Sequence, residues 1–441
     1  MRAWQNGRVT TRLQGRLWFG LLVGLAIVAS ACGSSVSTAS PTTALSPTPA
    51  VPSELGSRPS ATGSPNGPDL VIYAQIERQV QAIRELGARK PVTPVLLDEA
   101  GVRDWLTKAN AEQTNQAVLA NESRLFIHLG LLPAGSSLEQ MELDLEAGQV
   151  VGFYDPASQG LYLLSDSGGV GPIEKLTFSH EYTHALQDQN FGLAGLATDT
   201  PDQGDRDLAR TALPEGDATL TMTLWAEENL SLGELLAVAG YSLTGPQADQ
   251  LAGAPAILRE TLTFPYEDGV SFVEGVYEDG GWAAVDRLYA NPPDSTSQIL
   301  HPELYADGVK PVAVSLPAVP ASLGSGWKLT MQDTLGELQL RVWLKGENPS
   351  SVETAAAASA TSDWGGDRIG LYEGPSGAWA VVLYTAWRSE AGATAFSAAA
   401  YQRLTTLGGQ FRVCGDSTHV NLSIASSESL LPEFIACNPI G

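Results

Sequence analysis

Cysteine, histidine and basic residues are scarce in this chain of 441 residues. Three cysteines are too few for the disulfide-dense scaffolds of small secreted domains, and that class is excluded. The chain has 25 basic residues against 49 acidic ones, so its formal net charge is −24. A surface this acidic repels phosphate backbones, and we therefore expect no nucleic-acid partner. Hydrophobic residues make up 43% of the chain, which supports a buried core and excludes general disorder.

The apolar run near the N-terminus, residues 17–28, is too short for a confident membrane span. It follows four arginines and ends in small residues before Cys32, a pattern typical of an export signal. The Ala-Ser-Ala-Cys sequence ending at Cys32 resembles the lipobox of bacterial lipoproteins, although Ala29 stands where that family usually has leucine. The resemblance implies a signal peptide at residues 1–32 and a lipid anchor to the bacterial cell membrane at Cys32. The alternative is an ordinary signal peptide cleaved near Ala31; in both cases we expect an extracytoplasmic protein.

Residues 33–68 are almost entirely Ser, Thr, Pro, Ala, Gly and Val, a composition that predicts a disordered tether. Such a coil spans about 30 Å. Without the signal, the chain has 21 basic and 49 acidic residues, so the net charge of the remainder is −28. The other two cysteines, Cys414 and Cys437, would lie in an oxidising compartment, and we predict a disulfide between them. Two buried free thiols are the alternative.

The pattern of hydrophobic residues predicts an α+β fold. A mainly helical domain with a short β-sheet is expected at residues 69–310, and a small α+β accessory domain at 311–441, beyond a proline-rich loop. In the first domain the predicted helices cover residues 70–86, 99–108, 111–131 and several segments between 172 and 290, and the strands cover 149–154 and 160–164. In the second, the predicted helices cover 334–344 and 390–404, and the strands cover 369–373, 378–387 and one final segment.

The residues that indicate chemistry lie in one helical segment, 177–187. His180 and His184 are four residues apart, which places both imidazoles on one face of a helix, where they can bind a single zinc ion. Glu181 follows the first histidine, and its carboxylate is placed to take a proton from water. Because the chain has five histidines, a chance His-Glu-x-x-His match is rare. The alternative is a pair of core or surface histidines.

A catalytic zinc needs a third protein ligand and leaves one position for water. Glu215 is the main candidate, because a loop at residues 191–205 and a returning helix at 206–229 would bring it back beside the histidines. The competing candidates for the third ligand are Asp188, Asp205 and Glu227.

With two histidines and a glutamate as ligands, the sequence resembles the gluzincin type of zincin metallopeptidases. The metzincin pattern is absent, since Gln187 and Asn190 stand where that group has glycine and a third histidine. In thermolysin-like members an aspartate four residues after the ligand glutamate orients a zinc-bound histidine. Here that position holds Thr219, and Asp217 lies two residues after Glu215. The resemblance implies zinc as the cofactor and Asp217 or Thr219 as support for a ligand.

Two further stretches, residues 264–273 and 291–303, resemble a little-characterised group of exported bacterial proteins that share His-Glu-x-x-His. This resemblance covers roughly residues 70–310. A peptidase needs a hydrogen-bond donor to the oxyanion that forms when water attacks a peptide carbonyl, and Tyr266 and His301 are the candidates. Structural roles are the alternatives; His301, in a loop after two prolines, can cap a helix or hold the loop.

Zincins usually carry an edge strand that pairs with the extended substrate. Residues 152–155 or 161–164 are the candidates here, and a plain hairpin packed on the core is the alternative. In the C-terminal part, the run from Trp364 to Arg368 predicts a tight turn, with a binding loop as the alternative. No catalytic pattern occurs there.

The sequence thus predicts a zinc metallopeptidase that is tethered outside the membrane and hydrolyses peptide or protein substrates. Zinc would be held by His180, His184 and Glu215, with Glu181 as the base, and Tyr266 and His301 as further catalytic candidates. Two alternatives remain open: a non-catalytic surface protein that binds zinc and derives from a peptidase, and an amidase that acts on cell-wall peptides.

Overall fold

The computed structural model describes residues 67–105, 116–164, 169–196, 202–244 and 246–435. The predicted signal peptide, the tether up to residue 66 and Cys437 lie outside these residues. Cys414 is buried and disulfide-bonded, and its pairing with Cys437 stays a prediction. In the part of the chain that is described, no helix combines the length and the apolar character needed to cross a membrane.

The fold is α+β, as the sequence predicts. Its first part is mainly helical, with α1 Gly67–Arg84, α2 Gln116–His128, α3 Leu138–Gln149, α4 Pro172–Phe191, α5 Gly204–Asn229, α6 Leu232–Thr244, α7 Pro246–Gly253, α8 Ala256–Ala290, α9 Thr296–Leu300 and α10 Pro302–Ala306. Residues 99–105 are also helical, and the carboxylate of Asp98 accepts a hydrogen bond from the Gly101 N–H at the start of that segment. The long helix α8 is broken at Gly280 and Gly281, and Gly281 has φ of 64°.

A three-stranded sheet packs beside these helices. It consists of β1 Pro94–Leu97, β2 Gly152–Asp155 and β3 Gly160–Leu164, in the order β1-β3-β2. The hairpin of β2 and β3 is antiparallel, as predicted, whereas β1 is absent from the prediction and pairs with β3 in parallel. Strand β3 is central, so β1 and β2 are the two edge strands, and of the two candidates for an edge strand only residues 152–155 lie at an edge.

The C-terminal part forms an antiparallel sheet of five strands in the order β4-β5-β6-β8-β7. Its elements are β4 Lys328–Asp333, α11 Gly336–Lys345, α12 Ser351–Thr361, β5 Trp364–Glu373, β6 Trp379–Trp387, α13 Glu390–Leu407, β7 Gln410–Gly415, β8 His419–Ala425 and α14 Leu431–Phe434. The prediction of one final strand is wrong, since two strands, β7 and β8, follow α13. The prediction of a tight turn or loop from Trp364 to Arg368 is also wrong, because these residues open β5.

The largest hydrophobic core joins the two parts of the chain. It contains Leu125 of α2 and Ile257 of α8 together with Trp343 of α11 and Leu383 of β6. Residue 310, where the sequence predicts the domain boundary, lies in a segment without helix or strand, and the same core contains residues from both sides of it. A second core, between α1, α4, α5 and the small sheet, surrounds the helix that carries the paired histidines.

Candidate metal centre

The two histidines lie in the middle of α4, which is buried along its whole central part. Pro172 occupies the first turn of α4, where a missing backbone N–H costs nothing, and Gly192 ends the helix with φ of 77°. His180 is 2% exposed and His184 is fully buried. Their Nε2 atoms are 3.0 Å apart, as expected for residues four apart that point to one side of a helix.

Helix α5 brings Glu215 next to the two histidines. Oε2 of Glu215 lies 3.2 Å from Nε2 of His180 and 3.4 Å from Nε2 of His184. Pro214 lies inside α5, and the helix continues through it. These three residues form the one group of three or more possible metal-ligating side chains within the described ranges.

The spacing of the three atoms suits a metal ion of the size of zinc. Zinc lies about 2.0–2.1 Å from nitrogen and oxygen ligands, so the edge of a tetrahedral site is about 3.3 Å. The three observed separations are 3.0, 3.2 and 3.4 Å. Three lone-pair atoms this close in a buried place repel one another unless a proton or a cation lies between them. The donor set of two imidazoles and one carboxylate is that of a catalytic zinc site.

Gln187 holds the ring of His184 from the other side. Its Oε1 lies 2.8 Å from Nδ1 of His184, and its Nε2 donates to the Pro214 carbonyl at 3.0 Å. Because an amide oxygen can only accept, Nδ1 of His184 carries the hydrogen and Nε2 keeps its lone pair for a metal. The same side chain ties α4 to α5 one residue before Glu215. Nδ1 of His180 has no hydrogen-bond partner among the described residues.

Glu181 is fully buried beside this group, and neither of its carboxylate oxygens makes a hydrogen bond within the described structure. Burial raises the pKa of Glu181 to about 8. The backbone N–H of Tyr154, on β2, opposes this rise without forming a hydrogen bond of normal geometry. An unpaired buried carboxylate is costly, and a cation at the neighbouring ligand atoms would favour its ionised form.

The charges of the three ligand side chains are strongly coupled. Burial lowers the pKa of His180. Burial also opposes a charge on His184, but the carboxylate of Glu215 outweighs it and raises the His184 pKa to about 9. Burial disfavours the Glu215 carboxylate in turn, but the two histidines, above all His184, lower its pKa to about 2.

The structure brings only one of the two predicted oxyanion donors to the centre. The ring of Tyr266, on α8, lies 6.2 Å from the ring of His180, and Tyr266 is 6% exposed. His301 instead contacts Glu337 of α11, with its Nε2 at 2.9 Å from Oε1. Glu337 also pairs with Arg341. His301 thus joins the loop before α10 to the C-terminal part, which is the structural role weighed above.

The competing third ligands have other environments. Asp188 accepts hydrogen bonds from the Tyr154 hydroxyl and from the backbone of α4's C-terminal loop, and Glu227 is exposed to solvent. Asp205 accepts hydrogen bonds from the hydroxyl and the N–H of Thr296. None of the three belongs to the group around the paired histidines.

A buried ion pair behind Glu215 is absent from the sequence prediction. The carboxylate of Asp217 accepts from Nε of Arg84 at 2.6 Å and from Nη2 at 3.0 Å. It also accepts from the hydroxyl of Tyr289 at 2.7 Å. The Arg84 guanidinium lies 4.4 Å from the ring centre of Trp282 and donates to Asp286 at 2.8 Å. Asp217 therefore fastens α5 to α1 and α8.

Thr219 occupies the position where the thermolysin-like pattern has aspartate, and it makes no equivalent contact. Its hydroxyl has no hydrogen-bond partner among the described residues. The support that was expected from Asp217 or Thr219 reaches the centre only through the backbone of α5, which Asp217 anchors. The direct partner of a ligand is Gln187, whose position one turn after His184 was available as a signal in the sequence.

Comparison with known proteins informs only the C-terminal part. A family described as a domain of unknown function, DUF8575, matches residues 328–428, from β4 to just beyond β8. No curated protein and no solved structure matches the chain.

Proposed function

We propose that this protein is a zinc-dependent peptidase of the gluzincin type. The observation that carries the proposal is the convergence of Nε2 of His180, Nε2 of His184 and Oε2 of Glu215 at separations of 3.0–3.4 Å. An unpaired carboxylate, Glu181, lies beside them. A purely structural zinc site has no need for a buried carboxylate that binds nothing.

In this proposal, each side chain of the site has a separate role in peptide hydrolysis. When bound, zinc supplies Lewis acidity and lowers the pKa of a water molecule in the site. Glu181 takes one proton from the attacking water as its oxygen bonds to the peptide carbonyl carbon, and returns that proton to the nitrogen as the C–N bond breaks. Gln187 keeps the hydrogen of His184 on Nδ1. Tyr266 donates to the oxyanion.

The proposed setting follows from the N-terminal sequence. The signal-like residues 1–32, the predicted lipid site at Cys32 and the tether place the enzyme outside the bacterial membrane, anchored to it. Its substrates are peptides or proteins in that compartment. The acidic body, with 49 acidic residues against 21 basic ones beyond the signal, again argues against a nucleic-acid partner.

The mechanism is tested with Glu181→Gln, which keeps the shape of the side chain and removes the base. We expect zinc stoichiometry near one for wild type and variant, and cleavage of a mixed peptide library by wild type alone. Glu227→Gln, a change of the same type on the exposed side of α5, is the matched control and should retain full activity. Turnover by Glu181→Gln at the wild-type rate would refute the mechanism.

The third ligand is tested in the same way. Glu215→Ala should lower the zinc content strongly, while Glu227→Ala should leave it unchanged, because only Glu215 contacts the two histidines. Metal analysis after dialysis decides the point. Equal zinc content in the two variants would remove Glu215 from the ligand set.

A second candidate, a non-catalytic zinc protein, is favoured by the burial of the centre. The exposures of His180, Glu181, His184 and Glu215 are all 2% or less. A peptidase must open a path to these atoms, whereas a structural site need not. Calorimetry with a small hydroxamate on the zinc-loaded protein separates the two: binding supports the peptidase, and absence of both binding and cleavage supports the structural site.

A further inference from the structure

Helix α6 presents an apolar face to solvent. Leu232, Leu236 and Leu243 are 74%, 64% and 75% exposed. At 100° per residue they lie within about 40° of one another around the helix, so they form one stripe. Three leucines this exposed on one short helix are unusual, because an apolar patch of this kind on a soluble protein commonly marks an interaction site.

The rest of the outward side of α6 carries no charge either. The other exposed residues of this helix are Gly233, Ala237, Gly240 and Tyr241. The one charged residue of α6, Glu234, pairs with Lys175 of α4 at 2.8 Å. The net charge of the chain is −24, but this face has no acidic side chain other than the paired Glu234.

Helix α6 and the N-terminal part of α1 both contact the same helix, α4. The ring of Tyr73, in the second turn of α1, lies 4.5 Å from the ring of Phe178 on α4. Lys175, one turn earlier on α4, holds the first turn of α6 through Glu234. Near the start of α1, Leu70 and Val71 are 42% and 68% exposed and directly follow the acidic residue Asp69.

We propose that the outer face of α6 docks on the lipid bilayer. With 13 residues, α6 is about 20 Å long, shorter than the roughly 30 Å hydrocarbon core, so it lies in the plane of the interface and does not span it. Leucines along one side of a helix suit the boundary between acyl chains and headgroups.

The tether makes a weak contact of this kind effective. A flexible coil from Cys32 to Gly67 would have a root-mean-square span of about 30 Å, so the predicted anchor would hold the start of α1 at about that mean distance from the membrane surface. Binding of the face is then an intramolecular event at an effective concentration of the order of millimolar. The rest of the body is acidic and is repelled by anionic headgroups, which leaves the uncharged α6 face as the side that approaches most easily. The proposal rests on the predicted anchor and not on peptidase activity.

The test uses the chain without its signal and with Cys32→Ser, so that no lipid contributes. Flotation is measured with vesicles of phosphatidylcholine and with vesicles that also contain phosphatidylglycerol. We expect binding to phosphatidylcholine and weaker binding to the anionic mixture. Binding that needs the anionic lipid would overturn the proposal, since it would indicate an electrostatic contact elsewhere.

Two sets of variants decide where the contact lies. Replacing Leu232, Leu236 and Leu243 by serine should weaken the partition at least about tenfold. Val312→Ser with Val352→Ser, which are exposed outside α6, is the control and should leave binding unchanged. Circular dichroism should show the same melting temperature for all proteins, because these side chains are exposed.

Three further outcomes would overturn the proposal. The first is equal vesicle binding by the leucine variant and the unaltered protein. The second is absence of vesicle binding by the unaltered protein. The third is a dimer in light scattering that the serine changes dissociate, which would assign the face to a second copy of the chain.

Discussion

The buried pair of Arg84 and Asp217 allows a quantitative prediction for α5. Both side chains are fully buried, and the guanidinium donates two hydrogen bonds to the carboxylate. Replacing Arg84 by methionine keeps the aliphatic stem and leaves the Asp217 carboxylate with the Tyr289 hydroxyl as its remaining side-chain donor. Asp286 loses its bond as well, but its side chain is 36% exposed, so water replaces that bond at little cost.

The expected loss follows from the two bonds to Asp217. A hydrogen bond to a charged group contributes about 1.5–3 kcal/mol, and removing one partner of a buried ion pair costs about 3–5 kcal/mol. We therefore expect Arg84→Met to lower the free energy of unfolding by about 4 kcal/mol. Asp217→Asn should cost less, because Arg84 keeps Asp286 as a partner.

The double variant of Arg84→Met and Asp217→Asn shows whether the loss of stability comes from breaking the ion pair or from general disruption of the core. With both changes, the uncompensated buried carboxylate is gone, so the loss should fall short of the sum of the single losses by at least about 2 kcal/mol. Guanidinium denaturation at pH 7 measures this, followed by circular dichroism and by tryptophan fluorescence, to which Trp282 beneath the guanidinium contributes. Additivity within about 0.5 kcal/mol would refute the reasoning.

Three further changes test other parts of the structure. Burial raises the pKa of Asp205 to about 8, above its unfolded value near 4, so the folded state holds the extra proton in this window and this group lowers stability as pH rises through it. In Asp205→Asn, the free energy of unfolding should therefore decline less between pH 5 and pH 8, as measured by denaturant titration. The same decline in the variant as in wild type would contradict the prediction. A Cβ at Gly216 would lie 2.2 Å from the Gly269 carbonyl oxygen, so Gly216→Ala should cost about 3 kcal/mol, and an unaltered melting temperature would show that the helices separate freely. Gln187→Ala removes the partner of His184 and should weaken zinc binding about 10–100-fold in chelator competition; equal affinity would exclude that role.

The pairing of His180 and His184 can be predicted from the sequence because it depends on local spacing alone. Residues four apart on a helix face the same way whatever the helix packs against, so His180 and His184 needed no tertiary information. The hairpin of β2 and β3 can be predicted for a similar reason, because a turn sequence separates two short apolar runs. The third ligand is different, because the choice of Glu215 over Asp188 or Asp205 depends on how α5 packs against α4.

The elements that sequence reasoning missed depend on distant partners. Strand β1 has four residues and pairs in parallel with β3, so no adjacent turn marks it. Strand β5 has Gly365 and Gly366 directly after its first residue, Trp364. Glycine is a poor strand former, so this sequence predicts a turn. A Cβ at Gly366 would lie 2.2 Å from the carbonyl oxygen of Val312, so the glycine makes room for the extended chain at Val312. Neither the pairing of β1 with β3 nor the contact of Gly366 with Val312 is marked by a pattern in the neighbouring sequence.

The crossing of α5 and α8 shows how a distant contact builds the centre. Gly216 and Gly269 each lie inside a helix, where glycine costs about 1 kcal/mol relative to alanine. Cβ atoms on either would collide with backbone of the other helix, at 2.2 Å from Gly269 and at 2.5 Å from the carbonyl oxygen of Ala212. The two glycines therefore let the backbones approach directly beside Glu215. Tyr266 lies one turn before Gly269, and its ring is 6.2 Å from the ring of His180, so this one packing contact positions both Tyr266 and Glu215.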